Sequence, residues 1–274
     1  MTSRVSVFQI TILFLYVGAA FALAYTRTSP GDDRLKQLLI AAVTLSVAAI
    51  AVHILMLHRA VMINGTFSLT LTSALSVIGL QLALIAAMAA FDRTLRGVSA
   101  ILFLIAASLG SLTYVYAGTS SPAPLTWQIQ THIALSMFAY GLLTAGAIVG
   151  VLAIIQDRRL RSGQLSPLNR LFAPLETTER LLFGVATAGF IVLLMSVLSG
   201  IMFVENLFAQ HLVHKTALSL LALVMFGVLV IGRQLAGWRG KSAVYLYLGG
   251  FVLLGLAYFG SRYILEELLN RSWG

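Results

Sequence analysis

The chain has 274 residues, of which 59% are hydrophobic and 10% charged, and its mean hydropathy is +0.94. A soluble domain is roughly 25% charged, so a water-soluble fold of this length is excluded and the bilayer becomes the natural solvent. The net charge of +9 comes from 18 basic and 9 acidic residues. In a multispan protein that excess belongs to Lys and Arg in cytoplasmic loops, not to nucleic-acid recognition. Cysteine is absent, which excludes disulfides, thiolate metal sites and thiol catalysis.

Apolar runs of about the 20 residues a bilayer needs recur along the chain. They predict an all-α, polytopic helix bundle of about eight spans, near 7–25, 38–57, 67–91, 98–117, 128–155, 181–203, 216–234 and 244–264. The first run has the length of a retained span rather than a signal peptide, with Arg4 before it and Arg27, Arg34 and Lys36 after it. The connection 156–180 is the longest and most charged of the inner loops, and a short surface helix is expected near Thr177. The outer loop 118–126 is uncharged and carries Pro122 and Pro124. The outer stretch 205–214 has the spacing of a short amphipathic interfacial helix. Trp127, Trp238 and Trp273 fall near predicted interfaces, where tryptophan anchors.

Basic residues orient the bundle. Thirteen of the 18 lie in one set of alternate loops, among them Arg93, Arg96, Arg158, Arg159, Arg161 and Lys241. The positive-inside rule then places that set in the cytoplasm and both termini outside. It also gathers all five histidines, His53, His58, His132, His211 and His214, toward the outer face.

The fifth span concentrates the chemistry. Gln128, His132, Ser136, Tyr140 and Thr144 recur every four residues and form one polar stripe on an otherwise apolar helix. A polar stripe must face other helices or a watery cavity. For Ser136 and Thr144, interhelical hydrogen bonding is the plain reading; an intramembrane histidine is more often functional. His53 lies one turn inside the outer end of the second span and shares a face with Ser46, while His58 sits at the mouth beside Arg59. His211 and His214 are three apart, a spacing that puts both on one side of a helix.

Imidazole is the usual axial ligand of haem iron and a common ligand of zinc and copper. A closed structural zinc site wants about four ligands, thiolates among them; a haem needs one histidine from each of two elements, an apolar slot and cations for its propionates. Arg262 and Lys215, at outer span ends, are candidate cations, with snorkelling to the interface as their plain use. No nucleophile elbow, phosphate loop, zinc-protease helix or dinucleotide fingerprint is present. Carboxylates are nearly absent from the spans, which weighs against a proton-coupled pump.

The stretch His132-Ile-Ala-Leu-Ser-Met-Phe-Ala-Tyr140-Gly, the runs Leu175-Glu-Thr-Thr-Glu-Arg-Leu-Leu-Phe183 and Leu198-Ser-Gly-Ile-Met-Phe203, and the segments Gly237-Trp-Arg-Gly-Lys241 and Leu256-Ala-Tyr-Phe-Gly-Ser-Arg262 resemble the cytochrome c assembly family. These are the membrane haem-handling proteins of the CcsA and CcmC type, and the likeness is greatest to their YpjD-like bacterial branch. It is strongest from Trp127 to Arg262, with His53 as the best anchor in the first four spans.

The resemblance implies haem as cofactor and a place in the bacterial inner membrane. It implies His132 as an axial iron ligand and His53 as a deeper site. Tyr140 lies in the same motif as a further cofactor-binding candidate. His211 or His214 would supply the second ligand by placement, and Arg262 would pair with a propionate. The family's tryptophan-rich external signature is missing, with Glu205-Asn-Leu-Phe-Ala-Gln-His-Leu-Val-His214 in its place. A haem-lyase activity is therefore not expected, and no catalytic residue is assigned.

The function that emerges is haem binding or handling at the outer face, linked to cytochrome c assembly, with the lipid bilayer and other assembly or membrane proteins as partners. The alternatives are a non-enzymatic membrane scaffold that has lost haem delivery, and a metal-ion or small-molecule transporter. The natural absence of cysteine makes the topology testable. In intact cells an impermeant maleimide should label His58→Cys, and should label Arg161→Cys only after the inner face is opened. The reverse pattern would invert the orientation.

Overall fold

The computed structural model describes residues 7–28, 32–63, 66–67, 70–112, 125–163, 173–203 and 213–260. Eight α-helices follow one another among them: α1 (Val7–Thr28), α2 (Asp32–Val61), α3 (Leu71–Ala89), α4 (Arg96–Ser111), α5 (Trp127–Arg161), α6 (Leu175–Phe203), α7 (Val213–Ala236) and α8 (Gly240–Gly255), the last running into a π-helical turn, Leu256–Gly260. Seven segments are long and apolar enough to cross a bilayer, and α4 is a shorter apolar helix. The chain is a multi-pass helical membrane protein, as its composition requires.

The helices outrun the apolar runs where charge can reach water. Helix α2 begins at Asp32, and α5 continues to Arg161 with Arg158, Arg159 and Arg161 in its last turn. Cations there complement the exposed carbonyl end of the helix. Two local expectations are corrected. The region near Thr177 is no separate surface helix, because Leu175–Phe203 is continuous. Phe67 does not open the third span; it pairs with Met62 in an antiparallel hairpin of Met62–Ile63 and Thr66–Phe67. The span starts after it, where the Thr70 side chain accepts the Ser73 N–H at 3.2 Å as an N-cap. The expected interfacial helix at 205–214 lies mostly outside the described residues.

The chain forms two compact units, 1–125 with 155–178, and 126–154 with 179–274. In the first, α1 packs on α2 and α4, and α3 packs on the same two, which closes a four-helix ring. Its core holds Ile12, Tyr16, Met56, Leu82, Leu102 and Phe103, all fully buried. Where the chain enters α6, Gln156 Nε2 donates to the Ala173 carbonyl, and Thr178 Oγ1 donates to Gln156 Oε1 at 3.4 Å.

In the second unit Tyr247 of α8 stands edge-on to Phe226 of α7, with centroids 5.1 Å apart, and donates its hydroxyl to the Leu143 carbonyl of α5 at 2.8 Å. The α7–α8 turn needs Gly237, whose φ of +65° few other residues adopt. Trp238 then folds back, its N–H reaching the Gly232 carbonyl at 3.2 Å. Glu179 Oε1 accepts the Gly240 N–H at 3.2 Å and so caps α8 from α6.

Gly146 sets the α5–α8 approach, because a Cβ there would overlap the Tyr247 hydroxyl; at Gly184 a Cβ would meet nothing within 4 Å. Gly146→Ala should therefore destabilise the detergent-solubilised protein by about 1–3 kcal/mol through overpacking. Gly184→Ala should be neutral or stabilising by up to about 1 kcal/mol, from helix propensity. Thermal melts of the two variants beside wild type check the contrast.

Candidate functional site

His132 sits in the second turn of α5, half-buried against α6. Its Nδ1 lies 3.0 Å from the Ser196 carbonyl oxygen and 3.0 Å from Ser199 Oγ. Ser199 already donates its own hydroxyl to the Ser196 carbonyl at 2.7 Å. Both neighbours of Nδ1 therefore present lone pairs, and Nδ1 must carry the proton. The imidazole is then the tautomer whose Nε2 lone pair is open, and Nε2 makes no hydrogen bond among the described residues. A ligating histidine is ordinarily oriented in this way, with its second nitrogen donating to a backbone carbonyl.

Small residues make the seat. A Cβ on Gly200 would stand 2.9 Å from His132 Cε1, so that position of α6 must be glycine for the ring to lie there. Ser136 donates to the His132 carbonyl at 2.8 Å, which leaves its oxygen to accept the Ser196 hydroxyl at 2.7 Å. Ser136 thus ties α5 to α6, as the hydrogen-bonding reading of the stripe expects. Thr144 instead bonds within its own helix, to the Tyr140 carbonyl at 2.6 Å.

A second group of polar residues belongs to the same unit. Tyr140 is buried and donates to the Leu254 carbonyl of α8 at 2.8 Å. Its O–H is spent on the backbone, so it acts at the site through its ring. Tyr258, in the π-helical turn, packs at a tilt on Tyr140 with centroids 5.6 Å apart. Single π turns are frequent at functional positions. Lys215 Nζ lies 5.5 Å from the centre of the Tyr258 ring, and Lys215 is close enough to His132 to act on it electrostatically. At the same end Trp127 meets Phe203 edge-on, with centroids 5.9 Å apart.

His53 is a different kind of histidine. It is fully buried inside the first unit. Tyr16 Oη lies 3.2 Å from its Nδ1 and Ser76 Oγ 2.8 Å from its Nε2. Its Cε1 lies against Gly110 of α4, where a Cβ would be 2.9 Å away. Both ring nitrogens are engaged, so as folded His53 offers no lone pair to a metal. His58 is exposed on the last turn of α2, beside Arg59. The backbone of His214 lies in the first turn of α7, but its side chain, His211 and Arg262 fall outside the described residues.

The structure thus joins His132 with Tyr140 in one unit and leaves His53 in the other. Sequence reading missed Ser196, Ser199 and Gly200 as the clamp on His132, and Tyr258 as the partner of Lys215. The Ser-x-x-Ser-Gly run in α6 was the available signal, since small and hydroxyl residues at that spacing mark a close helix contact.

Together these features define a polytopic helical membrane protein that holds one histidine, in its Nε2-open form, at the end of a helical unit. The chain belongs to the Cytochrome C assembly protein family, which its residues 68–269 match. The matched region contains His132 and leaves out His53.

It is 34% identical over 139 residues to the inner membrane protein YpjD of Escherichia coli strain K12, and equally so to that of strain O157:H7. Those matches take in 51% of this chain and 52% of YpjD, so the chain spans about half the length of these relatives. It is 30% identical over 216 residues to an uncharacterized 28.8 kDa protein in the nifR3-like 5′ region of Azospirillum brasilense, covering 76% of this chain and 79% of that one. No solved structure matches.

The contrast between the histidines gives a stability test. His53→Leu would orphan two buried hydroxyls, Tyr16 and Ser76, at a cost of about 1–3 kcal/mol for each. His132→Leu removes a ring already part-exposed and should cost less. Detergent melts that show His132→Leu as the more damaging change would refute this division.

Proposed function

We propose that the protein binds haem at the outer face of the bacterial inner membrane and serves cytochrome c assembly, with His132 Nε2 as an axial ligand. Membership in the Cytochrome C assembly protein family supports a role in cytochrome c biogenesis. The name of the Escherichia coli relative supports the inner membrane as location. The observation that carries the ligand assignment is the Nδ1–Ser196 carbonyl bond, which holds the imidazole in the tautomer iron needs.

The residues present fit a haem. The second unit holds one neutral imidazole, the packed rings of Tyr140 and Tyr258, and a cation, Lys215, against the latter ring. Lys215 is suited to a propionate, with Arg262 as a second candidate. His211 or His214 would be the candidate second iron ligand. When bound, the haem would supply the metal chemistry. The chain would supply the orientation of His132 and a site for the propionates, with no catalytic residue of its own.

A multidentate metal-ion site, as a transporter would use, is less well supported. Among the described residues no three His, Asp or Glu side chains come together in a way that could hold an ion.

Haemin titrated into the purified protein should give an imidazole-ligated spectrum in wild type and lose it in His132→Ala. Ser199→Ala keeps the Ser196 carbonyl but loosens the clamp, and should weaken binding by about tenfold. His53→Leu, where it remains folded, should keep the spectrum of wild type. If wild type and His132→Ala give the same spectrum and affinity, the ligand assignment is wrong. A protein that takes up no haem but retains a co-purifying membrane partner would point to the scaffold alternative.

A further inference from the structure

The basic-loop end of the first unit carries a cluster that haem handling does not use. Arg27 lies in the last turn of α1, Arg93 in the α3–α4 connection and Arg96 at the first position of α4. The three guanidiniums are near enough to repel one another, and Asp92 is the carboxylate among them. Its Oδ1 is already taken by the Thr94 hydroxyl at 2.7 Å and the Thr94 N–H at 2.8 Å. Those two bonds, with Arg96 and Arg27 behind them, hold its carboxyl below the usual carboxylate range.

Arg96 is the unusual member. Arginines at a membrane interface ordinarily snorkel to water, but Arg96 exposes only 8% of its surface. Its Nε donates to the Ala90 carbonyl at 3.3 Å, and its Nη1 is buried with no hydrogen-bond partner among the described residues. A buried guanidinium N–H without an acceptor is costly, and the expected remedy is an acceptor or a counter-charge. Beside it α4 begins at Leu95, which offers no side-chain cap to the first-turn N–H groups. Those groups and the positive end of the helix favour an anion there. Buried donor, uncapped helix start and surplus positive charge thus share one place.

We infer that Arg27, Arg93 and Arg96, with the uncapped start of α4, form a binding site for a phosphate group, carried by an anionic phospholipid headgroup or by a free phosphate. A phosphate seated between Arg93 and Arg96 can accept from two guanidinium forks, the geometry that arginine favours for such anions. The site lies in the first unit, and it stands or falls independently of haem binding.

The test uses the full-length protein in mild detergent, read by native mass spectrometry for bound lipid and by melting temperature. Phosphatidylglycerol, phosphatidylcholine and potassium phosphate are added in separate arms. Phosphatidylglycerol should bind and raise the melting temperature where phosphatidylcholine does not. Arg93→Gln, an exposed position that does not endanger folding, should weaken that binding about fivefold. Arg96→Gln should do at least as much. Arg239→Gln, at another basic connection, should leave it unchanged.

If potassium phosphate stabilises wild type in an Arg93-dependent way and phosphatidylglycerol does not, the site is for free phosphate. If neither anion binds, or if Arg93→Gln binds phosphatidylglycerol as wild type does, the inference is overturned.

Discussion

Within a bilayer core no water is available to complete an unmet hydrogen bond, so every buried polar group must find its partner in the protein. That constraint organises this molecule. The first unit meets it by surrounding His53 with the hydroxyls of Tyr16 and Ser76, drawn from two different helices, and by placing Gly110 where the ring needs room. Tyr16 in turn stacks on Phe103, so the polar centre is enclosed in aromatic packing. The result ties α1, α2, α3 and α4 through one side chain.

The second unit meets the same constraint incompletely at His132. One nitrogen is held by the Ser196 carbonyl and the Ser199 hydroxyl, while the other makes no hydrogen bond among the described residues. In the same unit two buried tyrosines spend their hydroxyls on the backbone: Tyr140 on the Leu254 carbonyl and Tyr247 on the Leu143 carbonyl. What the described residues of the unit present is one oriented imidazole, with Lys215 near enough to act on it electrostatically.

Much of this was legible in the residues. The eight apolar helices, seven of them long enough to cross a bilayer, followed from hydropathy, because a helix in lipid must be apolar over the thickness of the membrane. The polar stripe on α5 and the motif around it marked His132 before any contact was known. The ends of the helices were less legible. Hydropathy finds the lipid-exposed stretch, whereas α2, α5 and α6 continue through charged residues into the interfacial region. The hairpin at Met62–Phe67 escaped notice because Phe67 is as apolar as the span that follows it.

Sequence by itself determined that the chain spans a membrane, that its cations lie on alternate loops, and that it resembles a haem-handling family through the stretch holding His132. It placed His132 first, by its stripe and motif, and kept His53 as a secondary candidate near the same end of an apolar helix. Tertiary structure separated them. The partners that decide the matter lie far away along the chain, Ser196 being 64 residues from His132 and Tyr16 being 37 from His53. Whether a ring nitrogen is spent or open depends on which hydroxyl or carbonyl packs beside it. That is a property of helix packing, which no local pattern encodes. Arg96 follows the same rule: as one more loop-end cation it looks ordinary, and only its burial, with Nε on the Ala90 carbonyl, makes it a group in need of an anion.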